Sequence, residues 1–341
     1  MARHRAAFIE SVGQVLDSGS LLLGPQLAEF ERAFAHVAGG AHCVGVASGA
    51  SALQLSLAAL GVGPGDEVIV PAMTAVPTAA SVQAVGATPV FADVDLATAA
   101  IDPAFAAAAV TPRTRAVIGV HLYGRPFDVA ALAAAVGVPV IEDSAQAHGA
   151  TTTVAGTVAA YSFYPTKNLG GVGDGGAVVT DDLALADRVR RLRVHGMAEQ
   201  YVHVEISQNH RISELEAAWL RITLPFLAAD NERRRAIAAA YRAAAPHLTW
   251  QLDHSMHVHH LAVVRAHDRD AFRSHLESHG VRTAVHYPLA LTQQPAYTHF
   301  TTAPCPHAEA WAAGCVSVPC FPELTDDEVA AVCAALQGAS A

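Results

Sequence analysis

Over its first two-thirds the chain alternates short, uninterrupted apolar runs with alanine-rich stretches of helical character. GDEVIVPA, ATPVFADV, TRAVIGVHLY, VPVIEDSA, AAYSFYPT and GGAVVTDD each contain a run of strand length closed by turn-forming residues. Segments such as ASALQLSLAAL and DVAALAAAV lie between several of them. A strand that is apolar throughout, rather than at every second position, is buried on both faces. The pattern therefore predicts an α/β fold, a large and mostly parallel sheet with helices on both faces. From about Asn231 the texture changes. ERRRAIAAAYRAA reads as a helix, WQLDHSMHVHHLAVV and VRTAVHY hold strand candidates, and DDEVAAVCAAL closes the chain as a helix. A large domain over residues 1–230 and a smaller C-terminal α+β domain over 231–341 are expected.

Composition narrows the class of function. Hydrophobic residues make up 52% and charged residues 15% of the 341, which suits a well-buried globular protein and excludes general disorder. No run of 18 apolar residues suggests a membrane span, and MARHRAAFIESVGQ lacks the apolar core of a signal peptide. A formal net charge of -10 argues against non-specific binding to nucleic acid. The five cysteines are odd in number and show no CxxC spacing, so they read as thiols in a reducing cytoplasm. Among the 19 histidines, HVHH is the best metal candidate. In a strand His257 and His259 would share one face, with His260 on the other, but no carboxylate or cysteine stands at a ligand spacing. A solvated or interfacial strand is the expectation there, and no metal.

Three segments carry chemistry. In GVASGASALQLSLAALG, small residues open a helix, whose free N–H groups and positive dipole end can cradle a phosphate; a plain serine cap also explains it. VPVIEDSAQAHGA runs a buried strand into Glu142 and Asp143, at the carboxyl edge where open α/β sheets bind ligands. One of these acids can cap the next helix, leaving the other free to pair with a cationic ring nitrogen. SFYPTKNLGGVGDGG holds the only lysine among 21 Lys and Arg residues. A guanidinium is permanently charged, whereas a desolvated amine loses its proton and attacks a carbonyl. Phosphate cradle, acid, hydroxyl and lone amine together describe a pyridoxal phosphate site.

With these segments in place, the sequence resembles the pyridoxal-phosphate-dependent sugar aminotransferases of the DegT/StrS family, which have the fold-type-I architecture. The likeness runs from SGSLLLGPQLAEFERAFA through GVGPGDEVIVPAMT, HLYGRPFD, IEDSAQAHGA and SFYPTKNLGGVGDGGAVVT to NHRISELEAAWLRITLPFL and CPHAEAWAAGCVSVPCFPELTDDEV. The resemblance implies that Lys167 holds the cofactor covalently and that Asp143 binds its pyridinium nitrogen. It places Gln146 beside the ring hydroxyl, and Ala50, Ser51 and Ser162 around the phosphate. It implies that Asn209 reaches the phosphate in the neighbouring subunit and that Arg211 is an anion contact there. A homodimer with shared active sites follows. His286 and Tyr287, in HYPLALT, fall on the substrate side. The implied donor is glutamate or glutamine, and the implied acceptor a nucleotide-linked 3- or 4-oxo-6-deoxyhexose.

Two departures from the family pattern stand out. Ala75 follows Thr74 where an aromatic ring usually stacks on the cofactor; either Met73 or His148 covers that face, or the stacking is lost. Ala290 and Thr292 replace residues of the HYP segment expected on the substrate side. An oxo-cyclitol acceptor, or a sugar dehydratase or regulatory relative of the same fold, are the alternatives. Lys167 argues against the dehydratases, which resemble this chain but carry histidine at that position.

Overall fold

The computed structural model describes residues 2–340. Seven strands form the main sheet: β1 (His42–Val46), β2 (Glu67–Pro71), β3 (Thr88–Ala92), β4 (Thr114–Val120), β5 (Val140–Asp143), β6 (Val158–Ser162) and β7 (Gly176–Thr180). Their spatial order is β1-β7-β6-β5-β4-β2-β3. Only β7 runs against its neighbours, β1 and β6; the remaining pairs are parallel. β2 to β7 are the six apolar runs of the sequence. β1, the short glycine-interrupted HCVGV, has too weak a pattern to be read without its neighbour β7.

Helices cover both faces. Alternate residues of β6 sort onto them: Val158 and Ala160 face the core built on the helix Gly49–Ala59, while Ala159 and Tyr161 face the helices Pro25–Ala38 and Glu214–Thr223. Glu214, almost fully buried, anchors that second layer. Its carboxylate accepts N–H bonds from Gly24, Gln26 and Leu27 at 2.9, 2.8 and 3.0 Å, at the positive end of the helix Pro25–Ala38. Hydrogen bonds to a charged group contribute about 1.5–3 kcal/mol each, so this carboxylate offsets its own burial.

A hairpin of β8 (Met197–Glu199) and β9 (Val202–His203) projects from the large sheet's side of the chain. β10 (Thr249–Trp250), β11 (Ala262–Arg265) and β12 (Cys315–Val318) form a separate antiparallel sheet with its own core, including Tyr241, Phe272, Leu276 and Leu336. The expected boundary at 230/231 falls inside the helix Leu227–Ala244, which carries the chain from one core to the other.

The C-terminal strands differ from expectation. VRTAVHY forms no strand; Ala284 alone bridges to Ser317, and the side chains beyond it bond to other elements. The HVHH segment is neither a strand nor solvated. His257, His259 and His260 are buried, and the His257 and His259 rings stack 3.7 Å apart. His257 Nδ1 accepts the His259 N–H at 2.9 Å, a local side-chain bond that replaces a strand partner. Burial pushes His257 and His260 well below the usual histidine range, so both are neutral. All five cysteines are free, and four of them are buried. Among the described residues, no helix is long and apolar enough to cross a membrane.

Candidate active site

The chemistry-bearing residues gather at the carboxyl edge of the large sheet. Glu142 and Asp143 end β5 on opposite faces, as strand alternation requires. Glu142 turns away from the site. It pairs with the His121 Nε2–H at 2.9 Å and accepts the Gly156 N–H at 2.7 Å, so it caps no helix. His121 Nδ1 in turn accepts the Phe127 N–H, which puts the ring's proton on Nε2. Asp143 faces the other way. Its Oδ1 accepts the Ala145 N–H at 3.1 Å and its Oδ2 accepts the Thr78 hydroxyl at 3.0 Å. Thr78 lies 3.0 Å from the hydroxyl of Thr74, one helical turn earlier in PAMTAVPT. Burial raises the Asp143 carboxyl above its usual range, against the pull of these donors and of Lys167.

Lys167 sits in a turn after β6, its N–H bonded to the Tyr164 carbonyl at 2.8 Å. Burial lowers its amine to about 8, and the nearby Asp143 carboxylate opposes that shift. An amine near 8 holds a usable fraction of free base at neutral pH, the form that attacks a carbonyl. A cavity of about 720 Å³ opens beside Lys167, with His260, His286, Ser317 and Arg234 in its wall.

The phosphate-cradle candidates converge from two other strands. Ser48 caps the helix Gly49–Ala59, accepting the Ser51 N–H at 3.0 Å, and Ser51 and Ala50 lie in its first turn. Ser162, the last residue of β6, stands against this turn. A Cβ added to Gly49 would lie 2.6 Å from that of Ser162, so only glycine allows the approach. His210 Nδ1 also reaches Ser51 Oγ at 3.1 Å, a contact that no spacing in the sequence reveals. Its neighbours point outward: Asn209 is exposed, and Arg211 donates to Asn209 Oδ1 at 2.9 Å.

Gln146 and the HYP segment meet. Gln146 Oε1 accepts the Tyr123 N–H at 2.6 Å, and Nε2 lies 3.2 Å from the Tyr287 hydroxyl. Tyr287 thus turns toward the Asp143–Gln146 turn, its phenol raised to about 12 by burial. His286 is half-buried, its Nδ1 2.9 Å from Ser317 Oγ. Ala290 is fully buried, and the Thr292 hydroxyl, also buried, lies 3.4 Å from Glu309. Both are enclosed by the subunit's own packing, as Asp143 and Gln146 are. The expectation that His148 covers the cofactor is corrected. Its ring packs between Phe34, Tyr161 and Phe163, on the face of β6 away from the Ser51 cradle, and covers no cofactor face there.

These residues fit pyridoxal phosphate: a desolvated amine, a buried acid within its electrostatic reach, and a helix start lined by two serines.

The profile of the DegT/DnrJ/EryC1/StrS aminotransferase family matches residues 3–337. Over 340 residues the chain is 43% identical to UDP-N-acetyl-3-dehydro-alpha-D-glucosamine 3-aminotransferase of Acidithiobacillus ferrooxidans, covering 96% of this chain and 92% of that one. Over 337 residues it is 44% identical to dTDP-3-amino-3,4,6-trideoxy-alpha-D-glucose transaminase of Streptomyces venezuelae, covering 94% and 88%. The crystal structure of S. venezuelae DesV in complex with a ketimine intermediate superposes with a TM-score of 0.94 at 43% identity, over 98% of this chain and 95% of that one. The lone lysine, the acid at the end of β5 and the matched length thus have one common explanation: the chain belongs to the DegT/DnrJ/EryC1/StrS aminotransferase family and is a pyridoxal-phosphate-dependent sugar aminotransferase.

Proposed function

We propose that this enzyme moves an amino group from glutamate or glutamine to the oxo carbon of a nucleotide-linked 3- or 4-oxo-6-deoxyhexose, as a homodimer with shared active sites. The observation that carries the reading is Lys167 within electrostatic reach of Asp143 at one sheet edge, in a chain whose relatives are named for nucleotide-linked amino sugars. When bound, the cofactor supplies an electron sink for the substrate's carbon–nitrogen bond. Lys167 would hold it covalently, and its amine, when free, would move a proton at the substrate carbon. Asp143 keeps the ring nitrogen protonated, with Thr78 and the Ala145 N–H orienting its carboxylate. Ala50, Ser51 and Ser162 bind the phosphate, and Gln146 the ring hydroxyl. His286 and Tyr287 face the substrate side.

The dimer reading rests on what the subunit leaves exposed. Leu21, Leu22 and Leu23 are exposed, and Leu22 bridges to Ser213, two residues after Arg211. Beyond them Tyr201 is 84% exposed and Ile206 fully so. Large exposed apolar side chains support an interface reading, and Asn209 and Arg211 lie in the stretch of chain that leads to Ser213, the partner of Leu22.

The test is glutamate-dependent amination of a nucleotide-linked oxo-sugar, its free counterpart and scyllo-inosose under identical conditions. Contacts to the phosphates predict that the free sugar reacts about tenfold more slowly per 1.4 kcal/mol of lost transition-state binding. A higher specificity constant for the cyclitol would replace this acceptor by the cyclitol.

A further inference from the structure

Two amide side chains, both outside the set assigned above, tie the lysine turn to the acid turn. Asn168, directly after Lys167, donates through Nδ2 to Asn231 Oδ1 at 2.8 Å and to the Val258 carbonyl at 3.0 Å. Its Oδ1 lies 3.2 Å from His260 Nδ1, and an oxygen can only accept, so His260 carries its proton there. Asn231, 2% exposed on the helix Leu227–Ala244, donates through Nδ2 to the His148 carbonyl at 2.8 Å. Both orientations are determined by chemistry. The Val258 and His148 carbonyls only accept, so each must face an NH₂ group, and the remaining oxygens then match as observed.

His148 belongs to the segment that carries Asp143 and Gln146, five and two residues earlier in EDSAQAH. Asn231 therefore spans the two pieces of backbone whose spacing sets Lys167 against Asp143. A Cβ at Gly149, which has φ +74°, would stand 3.0 Å from Asn231 Nδ2, so the glycine allows both the left-handed turn and the amide's approach. Every side-chain amide atom of Asn168 and Asn231 has a partner, which is the condition for a buried polar group to rigidify rather than weaken its surroundings.

We infer that Asn231 is a positioning residue: from the helix between the two cores it sets the distance between Lys167 and the Asp143–Gln146 turn, without touching cofactor or substrate. The groups near the amine whose balance it governs are Asp143, His148, His260 and His286. The inference rests on the cofactor being held by Lys167.

The test uses purified holoenzyme carrying Asn231→Ala or Asn231→Leu. The second keeps the branched shape and the number of heavy atoms, and both are uncharged. The readouts are the pH midpoint of the bound cofactor's visible band, its induced circular dichroism, and kcat and KM. Both variants should bind cofactor. The midpoint should move by about half a pH unit or more, and kcat should fall about tenfold with KM changed less than about threefold. An unchanged midpoint and dichroism, with only thermal stability lowered, would overturn the inference, because packing alone would then explain the residue. If Asn231→Ala fails to fold, Asn231→Leu decides; if neither folds, the residue is a folding determinant and the inference is wrong. A wild-type protein without a borohydride-sensitive visible band would instead overturn the Lys167 reading.

Discussion

The two halves of the site are built in opposite ways. The Asp143–Lys167 half lies at the edge of a buried sheet, and its carboxylate and amides find partners within the chain. The half around the β8–β9 hairpin and Asn209 turns outward, with an arginine side chain as the contact of Asn209 and large apolar groups in the open. A buried polar group without a partner costs about 1–3 kcal/mol, which favours partners within the chain for the Asp143 carboxylate and the Asn168 and Asn231 amides. Exposed groups carry no such cost, which fits the proposal that the second half meets its partners in another copy. The contrast separates the residues proposed to hold and activate the cofactor from those proposed to complete a partner's site.

Substitutions test this contrast in order of size. Lys167→Arg keeps the charge and removes the only side-chain amine able to form the covalent link. The protein should be colourless, with turnover lowered by about four orders of magnitude or more. Retained turnover would remove Lys167 from the mechanism. Asp143→Asn keeps the contact with Thr78 but loses the charge; amination should fall about 10²–10³-fold with cofactor still bound, measured by single-turnover absorbance.

Mixing sharpens the comparison. Lys167→Ala and Asn209→Ala homodimers should each be impaired. In a mixed dimer one site combines both intact halves, so random exchange should restore about a quarter of wild-type activity. Demonstrated exchange with no recovery would place Asn209 outside the partner's site.

The smallest effect concerns Glu216, whose carboxylate accepts the Val172 N–H at 3.0 Å in the glycine loop after Lys167. Burial pushes its carboxyl up to about 7. A raised folded value means that the native state holds the proton more tightly than the unfolded chain. Stability from this group is therefore full below the ordinary carboxylate range and lost as pH rises through about 7. Glu216→Gln keeps an acceptor without the charge, so it should raise Tm by about 1–3 °C at pH 8 and by less at pH 5. An equal effect at both pH values would count against the protonation argument.

Legibility followed the reach of each signal. Six of the seven large-sheet strands were readable because a strand buried on both faces must be apolar along its length. Lys167 stood out by rarity, and Asp143 by its place at the end of such a strand. Thr78 left only a faint sign, the four-residue spacing from Thr74 in PAMTAVPT. His210 and Asn231 left none, because their partners lie 159 and 63 residues away along the chain. The HVHH segment misled for the opposite reason: alternation suggested a strand, but the segment is buried and irregular, with the His259 N–H bonded to the His257 ring.

What the sequence by itself determined about this protein is its class and its chemistry: a mostly parallel α/β sheet, one lysine able to bind an aldehyde cofactor, and an acid at the carboxyl end of a buried strand. These depend on residue type and short-range pattern, which any stretch of chain carries with it. Only the tertiary structure decided that Glu142 pairs with His121 while Asp143 faces Lys167, that Ala290 and Thr292 turn inward, and that Asn231 links the lysine and acid turns. Those outcomes depend on which buried groups find partners across long sequence separations, and that is settled only when the layers close together.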